Sequence, residues 1–184
     1  GTSLGHIGYG YLYTNFGPQF RYTTPDMAGF KVAFEVGEPY AITPASYKQN
    51  VPRLEAELSY ATTFKGGSIH AWLEGLEQTD TRGTGLDGYG IPIFRPNAHN
   101  ISLGIAPGFN AQFGPVGIMG SGYYGTGLGM ISAQDGALGA ALGDGYTTED
   151  FFGNQRTNWG FLAQATYQVT DAIRLAVNYG ACRS

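Results

Sequence analysis

Apolar and polar residues alternate one for one through several stretches of this chain. In Gln19-Phe20-Arg21-Tyr22-Thr23, and again in Phe30-Lys31-Val32-Ala33-Phe34-Glu35-Val36, every second side chain is aromatic or aliphatic. A strand points successive side chains to opposite faces. Phe20, Tyr22, Phe30, Val32, Phe34 and Val36 therefore share an oily face, while Gln19, Arg21, Thr23, Lys31, Ala33 and Glu35 share a polar one. Arg53-Leu54-Glu55-Ala56-Glu57-Leu58-Ser59-Tyr60 repeats the pattern without a fault, and after the turn residues Lys65-Gly66-Gly67 it resumes from Ser68 to Glu77. There Ile69, Ala71 and Leu73 oppose His70, Trp72 and Glu74. The pattern predicts a hairpin with a tight Gly-Gly turn.

Further along, Ile101 to Ile105 alternates, Pro107-Gly108-Phe109-Asn110 predicts a turn, and a glycine-interrupted strand follows from near Gln112 to Tyr124. The last pair sets Phe161, Ala163, Ala165 and Tyr167 against Leu162, Gln164 and Thr166. Beyond a turn at Val169 to Ala172, it sets Ile173, Leu175, Val177 and Tyr179 against Arg174, Ala176 and Asn178. Ahead of all these, Ile7, Tyr9, Tyr11 and Tyr13 predict an extended segment within Gly1 to Phe16.

Four hairpins result, at 17–24 with 29–37, 53–62 with 68–77, 98–106 with 111–124, and 158–168 with 172–181. Turns within a hairpin are short, and connections between hairpins, near 38–51, 79–96 and 125–156, are long. Outer-membrane barrels have this asymmetry, with tight periplasmic turns and large outer loops. Two solvents suit such ribbons. A soluble sandwich hides the oily face in a core, and a membrane barrel turns it to lipid and lines a wet lumen with the other. The long-short alternation favours an all-β, antiparallel transmembrane β-barrel, with residues 1–184 as a single segment of about eight or nine strands. Tyr22, Tyr60, Tyr167 and Tyr179 then fall near the short turns, as an interfacial girdle would.

Composition sharpens this picture. Charged residues make up 13% of the chain, against about 25% in an ordinary soluble domain, so even the polar faces are padded with Ser, Thr, Gly and Ala. A formal charge of −4 with no basic block argues against nucleic acid as a partner. No apolar run reaches the roughly 20 residues of a membrane-spanning helix, which leaves strands as the means of crossing. The lone cysteine, Cys182, forms no internal disulfide and has no neighbouring ligands for a metal site.

Motifs for chemistry are weak. Gly83-Thr84-Gly85-Leu86-Asp87-Gly88 matches GxGxxG in letters, but Gly90, Pro92 and Pro96 follow where a phosphate-binding helix would have to begin. His6, His70 and His99 lack HExxH spacing, and Gly120-Ser121-Gly122 lacks the outer glycines of a GxSxG elbow. Asn100-Ile101-Ser102 is a formal glycosylation sequon at a strand start. Glu55 and Glu57 lie on one strand face about 7 Å apart, a spacing open to acid-base work but more simply two charges on a wall. The chain is therefore expected to be no enzyme and to take no cofactor or metal.

Thr23-Thr24-Pro25-Asp26-Met27-Ala28-Gly29-Phe30-Lys31, Arg53 through Tyr60, and Asn158-Trp159-Gly160-Phe161 through Ala176-Val177-Asn178-Tyr179 resemble the Gram-negative porins, the outer-membrane general diffusion porins. The resemblance implies a sixteen-stranded homotrimeric barrel in the bacterial outer membrane, touching outer-membrane lipid and passing small hydrophilic solutes and ions passively. It also implies an inward-folded loop where acidic and basic side chains face each other across the pore. Against that family the chain has no leader, no closing strand with a terminal aromatic, and about half the strands, so it reads as an internal portion of a porin-like chain.

For a passive pore the working residues are those lining the lumen. They are expected to be Arg21, Lys31, Glu35, Arg53, Glu55, Glu57, Glu74 and Arg174. On the long connections Asp80, Asp87, Asp135, Asp144, Glu149 and Asp150 outnumber Lys48, Arg82, Arg95 and Arg156, which points to a mild cation preference. A soluble all-β binding or adhesion module, and a structural surface barrel without transport, are the alternatives.

Overall fold

In the computed structural model, residues 10, 17–43, 45–49, 51–87, 90, 92–129, 148–150 and 152–184 are described. The predicted extended segment before Phe16, His6, Asp135, Asp144 and the small apolar stretch of the 125–156 connection lie outside the described residues, apart from Gly10 and the connection's two ends. Among the described residues nine strands form one antiparallel sheet: β1 (Gln19–Thr23), β2 (Phe30–Gly37), β3 (Ser46–Lys48), β4 (Arg53–Phe64), β5 (Gly67–Arg82), β6 (His99–Phe113), β7 (Val116–Thr126), β8 (Thr157–Thr170) and β9 (Ile173–Arg183). Eight of them pair in the order β1-β2-β4-β5-β6-β7-β8-β9, and β3 pairs with the end of β5. Every neighbour on that path is the next wall strand in sequence, which is an up-and-down meander. Among the described residues β1 and β9 are edges that do not meet.

All four hairpin turns, at 24–29, 65–66, 114–115 and 171–172, fall at one end of the sheet, and the long connections fall at the other. The expected asymmetry is present. The 38–51 connection, read as a loop, contains the short strand β3, β8 runs through Thr170 into the turn expected at 169–172, and two further boundaries differ from the sequence reading. The chain does not turn at Pro107–Asn110; β6 runs through to Phe113 and turns at Gly114-Pro115, where Gly114 takes φ 55°. In addition, β5 continues to Arg82, so 79–82 is wall, and the connection begins at Gly83.

Pro107 fits inside a strand because the sheet yields there. β5 pairs Leu73 with Pro107, whereas the β6–β7 ladder skips Ala106 and Pro107 between Ile105↔Tyr124 and Gly108↔Ser121. Proline has no N–H to donate, and the break in that ladder accommodates the missing donor.

Side-chain exposure settles the two faces. Phe34 is 57% exposed, Leu58 48% and Val177 68%, whereas Glu35 is 6% exposed and Arg53 2%. A soluble core would reverse those values. The oily face is the open one, and the charged face is the covered one.

Aromatic groups gather at both ends of the oily face. Phe30 and Tyr60 lie 4.5 Å apart and Phe64 and Phe113 5.9 Å apart towards the short turns, where exposed Tyr22 and Tyr167 also stand. Tyr179 departs from the expected girdle. It pairs with Ala163 and lies 6.0 Å from Phe161, which is 6.3 Å from Trp159, away from the 171–172 turn.

Candidate functional site

The polar face of β1, β2, β4 and β5 carries a charge cluster whose geometry follows from register. Arg21 stands opposite Glu35, Glu35 opposite Glu55, Ala33 opposite Glu57, and Glu57 opposite Glu74. Like charges directly opposite each other destabilise a sheet. Two arginines offset that repulsion. Arg53, one residue pair further along, places its guanidinium 3.3 Å from Glu35 Oε1 and 2.5 Å from Glu55 Oε1. Arg21 reaches over the small, buried Ala33 to donate to Glu57 Oε2 at 2.6 Å, and it stands 3.8 Å from Glu35. Tyr40, from the 38–52 connection, covers Arg53 with its ring 4.4 Å from the guanidinium carbon, within cation-π range.

Six of the eight predicted lining residues are therefore brought together: Arg21, Glu35, Arg53, Glu55, Glu57 and Glu74. The other two are on the same face but apart. Lys31 is exposed opposite Ser59 and joins no ion pair among the described residues. Arg174 lies near the β8–β9 turn, where its Nε donates to Gln168 Oε1 at 3.0 Å.

Above this cluster, towards the long connections, the covered face is polar and buried. Asp80 accepts from the Ile42 amide at 3.0 Å and from Asn100 Nδ2 at 2.8 Å, and Ser46 donates to it as well. Gln78 accepts from the Tyr40 amide at 3.0 Å and donates back to the Tyr40 carbonyl. These strand side chains hold residues 40–43 against the inner wall, with Ile42 and Thr43 fully buried. The 127–156 connection folds the same way at its start. Leu128 packs over Gly104 and Gly125, where an added Cβ would meet its side chain at 2.5 and 2.7 Å, and Asn158 Oδ1 accepts from the Leu128 and Gly129 amides at 3.1 and 3.2 Å.

Its far end returns as a small hairpin, Glu149 bridging to Gln155. Buried Arg82 donates to Glu149, to the Phe94 carbonyl at 3.0 Å and to Asn100 Oδ1 at 3.4 Å, tying two connections to one strand end. Burial pushes the Glu149 carboxyl up from the usual range, and the Arg82 hydrogen bond pulls it partly back. Gln155 hydrogen-bonds both the amide (2.9 Å) and the carbonyl of Ile101, which have no β7 partner beyond Leu103↔Thr126, so its side chain extends the ladder.

Asp80 and Arg82, read from the sequence as connection charges, are thus buried wall residues, and Glu149 is paired rather than free. The sequence pattern does not mark Tyr40, Gln78, Asn100, Ser102 and Asn158 as functional residues. The available signal was the continued alternation Gln78, Asp80, Arg82 past Glu77. Asn100 of the sequon is 2% exposed and Ser102 fully buried, which removes it as a glycosylation acceptor. No metal-ligating group of three or more is found among the described residues.

No protein-family model and no curated protein matches the chain. Among solved structures it is similar to the outer membrane channel DcaP of Acinetobacter baumannii, with a TM-score of 0.64 at 18% sequence identity, covering 90% of this chain and 43% of that one. The likeness is one of fold: the meander of this chain matches part of an outer-membrane β-barrel. The chain spans less than half the length of that channel.

Proposed function

We propose that this chain forms part of the wall of a water-filled channel in a bacterial outer membrane, through which small hydrophilic solutes and ions diffuse passively. One observation carries the reading. The face with Phe34, Leu58 and Val177 is open, while the opposite face holds buried ion pairs, an inversion that lipid outside and water inside explain together. In this reading Arg21, Lys31, Glu35, Arg53, Glu55, Glu57, Glu74 and Arg174 line the lumen, outer-membrane lipid covers the apolar face, and the wall performs no bond chemistry. The homotrimer implied by the porin resemblance is the assembly we assign, and its check is chemical crosslinking in native membranes.

The deciding test is reconstitution. The full-length protein carrying these residues should require detergent for solubility and should add stepwise, ohmic conductance to a planar bilayer. A protein that stays soluble and monodisperse without detergent would favour a soluble binding module. Insertion with no conductance would leave a structural barrel.

A further inference from the structure

The inner face is divided by charge. β6, β7 and β8 contain no Asp, Glu, Lys or Arg at all, so past the charged sector the wall is neutral and rich in amides and hydroxyls. At the boundary stands Trp72, a large aromatic on the face where alternation calls for a polar group. Opposite it in the sheet are Ser59 on one side and Gly108 on the other. Its indole lies on Gly108, where an added Cβ would fall 2.2 Å from Cζ2. A side chain at 108 would therefore lift the ring off the wall. The ring packs on the Gly108 backbone, and the residue as a whole is half-buried on the inner face.

Hydrogen-bonding groups surround this platform. The His70 ring is exposed 5.2 Å away at 35°, and Asn110 lies opposite His70 and is exposed. Among the described residues no hydrogen bond engages the Trp72 indole N–H or the Asn110 side-chain amide. Ser68 and Gln112 stand opposite each other in the next interior row. A flat apolar surface ringed by neutral donors and acceptors suits a solute that is apolar on one face and hydroxylated at its rim. The nearest charges on this face are of both signs, Glu74 two residues along β5 and Lys31 across Ser59 in the same row.

From this placement we propose that Trp72, with His70 and Asn110, forms a binding subsite for neutral saccharides on the inner wall. The proposal rests on the channel reading for its access route, and its test separates the two. The probe is maltotriose, applied to the full-length protein in detergent by titration calorimetry and in planar bilayers as a blocker of ion current. We expect concentration-dependent binding and blockade. Trp72→Ala should weaken both about five- to tenfold, Trp72→Phe should keep most of the affinity, and Tyr124→Phe on the lipid side should change neither. Ion conduction without maltotriose binding, equal binding by Trp72→Ala, or binding of adenosine in place of the sugar would overturn the saccharide assignment. Calorimetric binding that Trp72→Ala abolishes, in a protein that conducts nothing, would uphold the subsite and sink the channel.

Discussion

At the scale of single residues, the charge cluster is a problem and its solution. Glu35 faces Glu55 and Glu57 faces Glu74 across adjacent strands, and the structure tolerates this because Arg21 and Arg53 sit among the four. Removing one partner of a buried pair leaves a stranded charge, which costs more than the pair itself is worth. Arg53→Ala should therefore destabilise the folded barrel by roughly 3 kcal/mol, read from urea unfolding in lipid vesicles. Adding Glu35→Gln to that variant should recover part of the loss. If Arg53→Ala unfolds like the parent, the pair does not hold this corner of the wall. The sequence alone put all six charges on one face through a period of two. It did not reveal which of them touch, because contact depends on the register between strands and on Tyr40, which arrives from a connection with no periodicity.

At the scale of elements, legibility followed the regularity of the hydrogen-bonding pattern. Strands with unbroken alternation were placed within a few residues, whereas β6 was cut short because Pro107-Gly108 has the composition of a turn. The sheet accommodates both residues for separate reasons, Pro107 at a break in one ladder and Gly108 beneath the Trp72 ring. The open faces of these elements make a direct test of orientation. Leu58→Arg places a charge on the open apolar face and, if lipid covers that face near the bilayer midplane, should cost about 2–4 kcal/mol, measured as folding yield and urea midpoint in vesicles. Asp150 organises the returning hairpin of the last connection: its carboxylate accepts from the Phe152 amide at 2.9 Å, the Asn154 amide at 2.8 Å and Asn154 Nδ2 at 2.9 Å. Those bonds to Asn154 hold its carboxyl below the usual range. Because the folded value is the lower one, the support is complete above the ordinary carboxylate range and fades as pH falls through the depressed value. Asp150→Asn should accordingly speed amide exchange at Phe152 and Asn154 at neutral pH, with little change left to see once the parent carboxyl is itself protonated.

At the scale of the whole molecule, both the 38–52 and 127–156 connections lay described residues on the inner wall, held by Gln78, Asp80 and Asn158. Under the proposed channel function, this changes which charges an ion would meet. Asp80 and Arg82 are buried in contacts, Glu149 is committed to Arg82, and counting connection charges from the sequence overstated their influence. A further imbalance lies in the partly buried cluster below, where Glu35, Glu55, Glu57 and Glu74 stand against Arg21 and Arg53, a formal surplus of two negative charges. Fields from such a group extend about 8 Å at physiological salt before screening removes them, so they matter where the lumen is narrow enough to keep ions within that distance. The channel should then prefer cations, and the preference should come from the cluster. In a salt gradient the parent should show a reversal potential of cationic sign, and Glu57→Gln with Glu74→Gln should bring it close to zero at unchanged conductance in molar salt. Glu74 is exposed and Glu57 half-buried, whereas Glu35 is buried, so their neutralisation disturbs packing less than that of Glu35 would. An unchanged reversal potential in the double variant would place selectivity elsewhere, on the strands that complete the barrel.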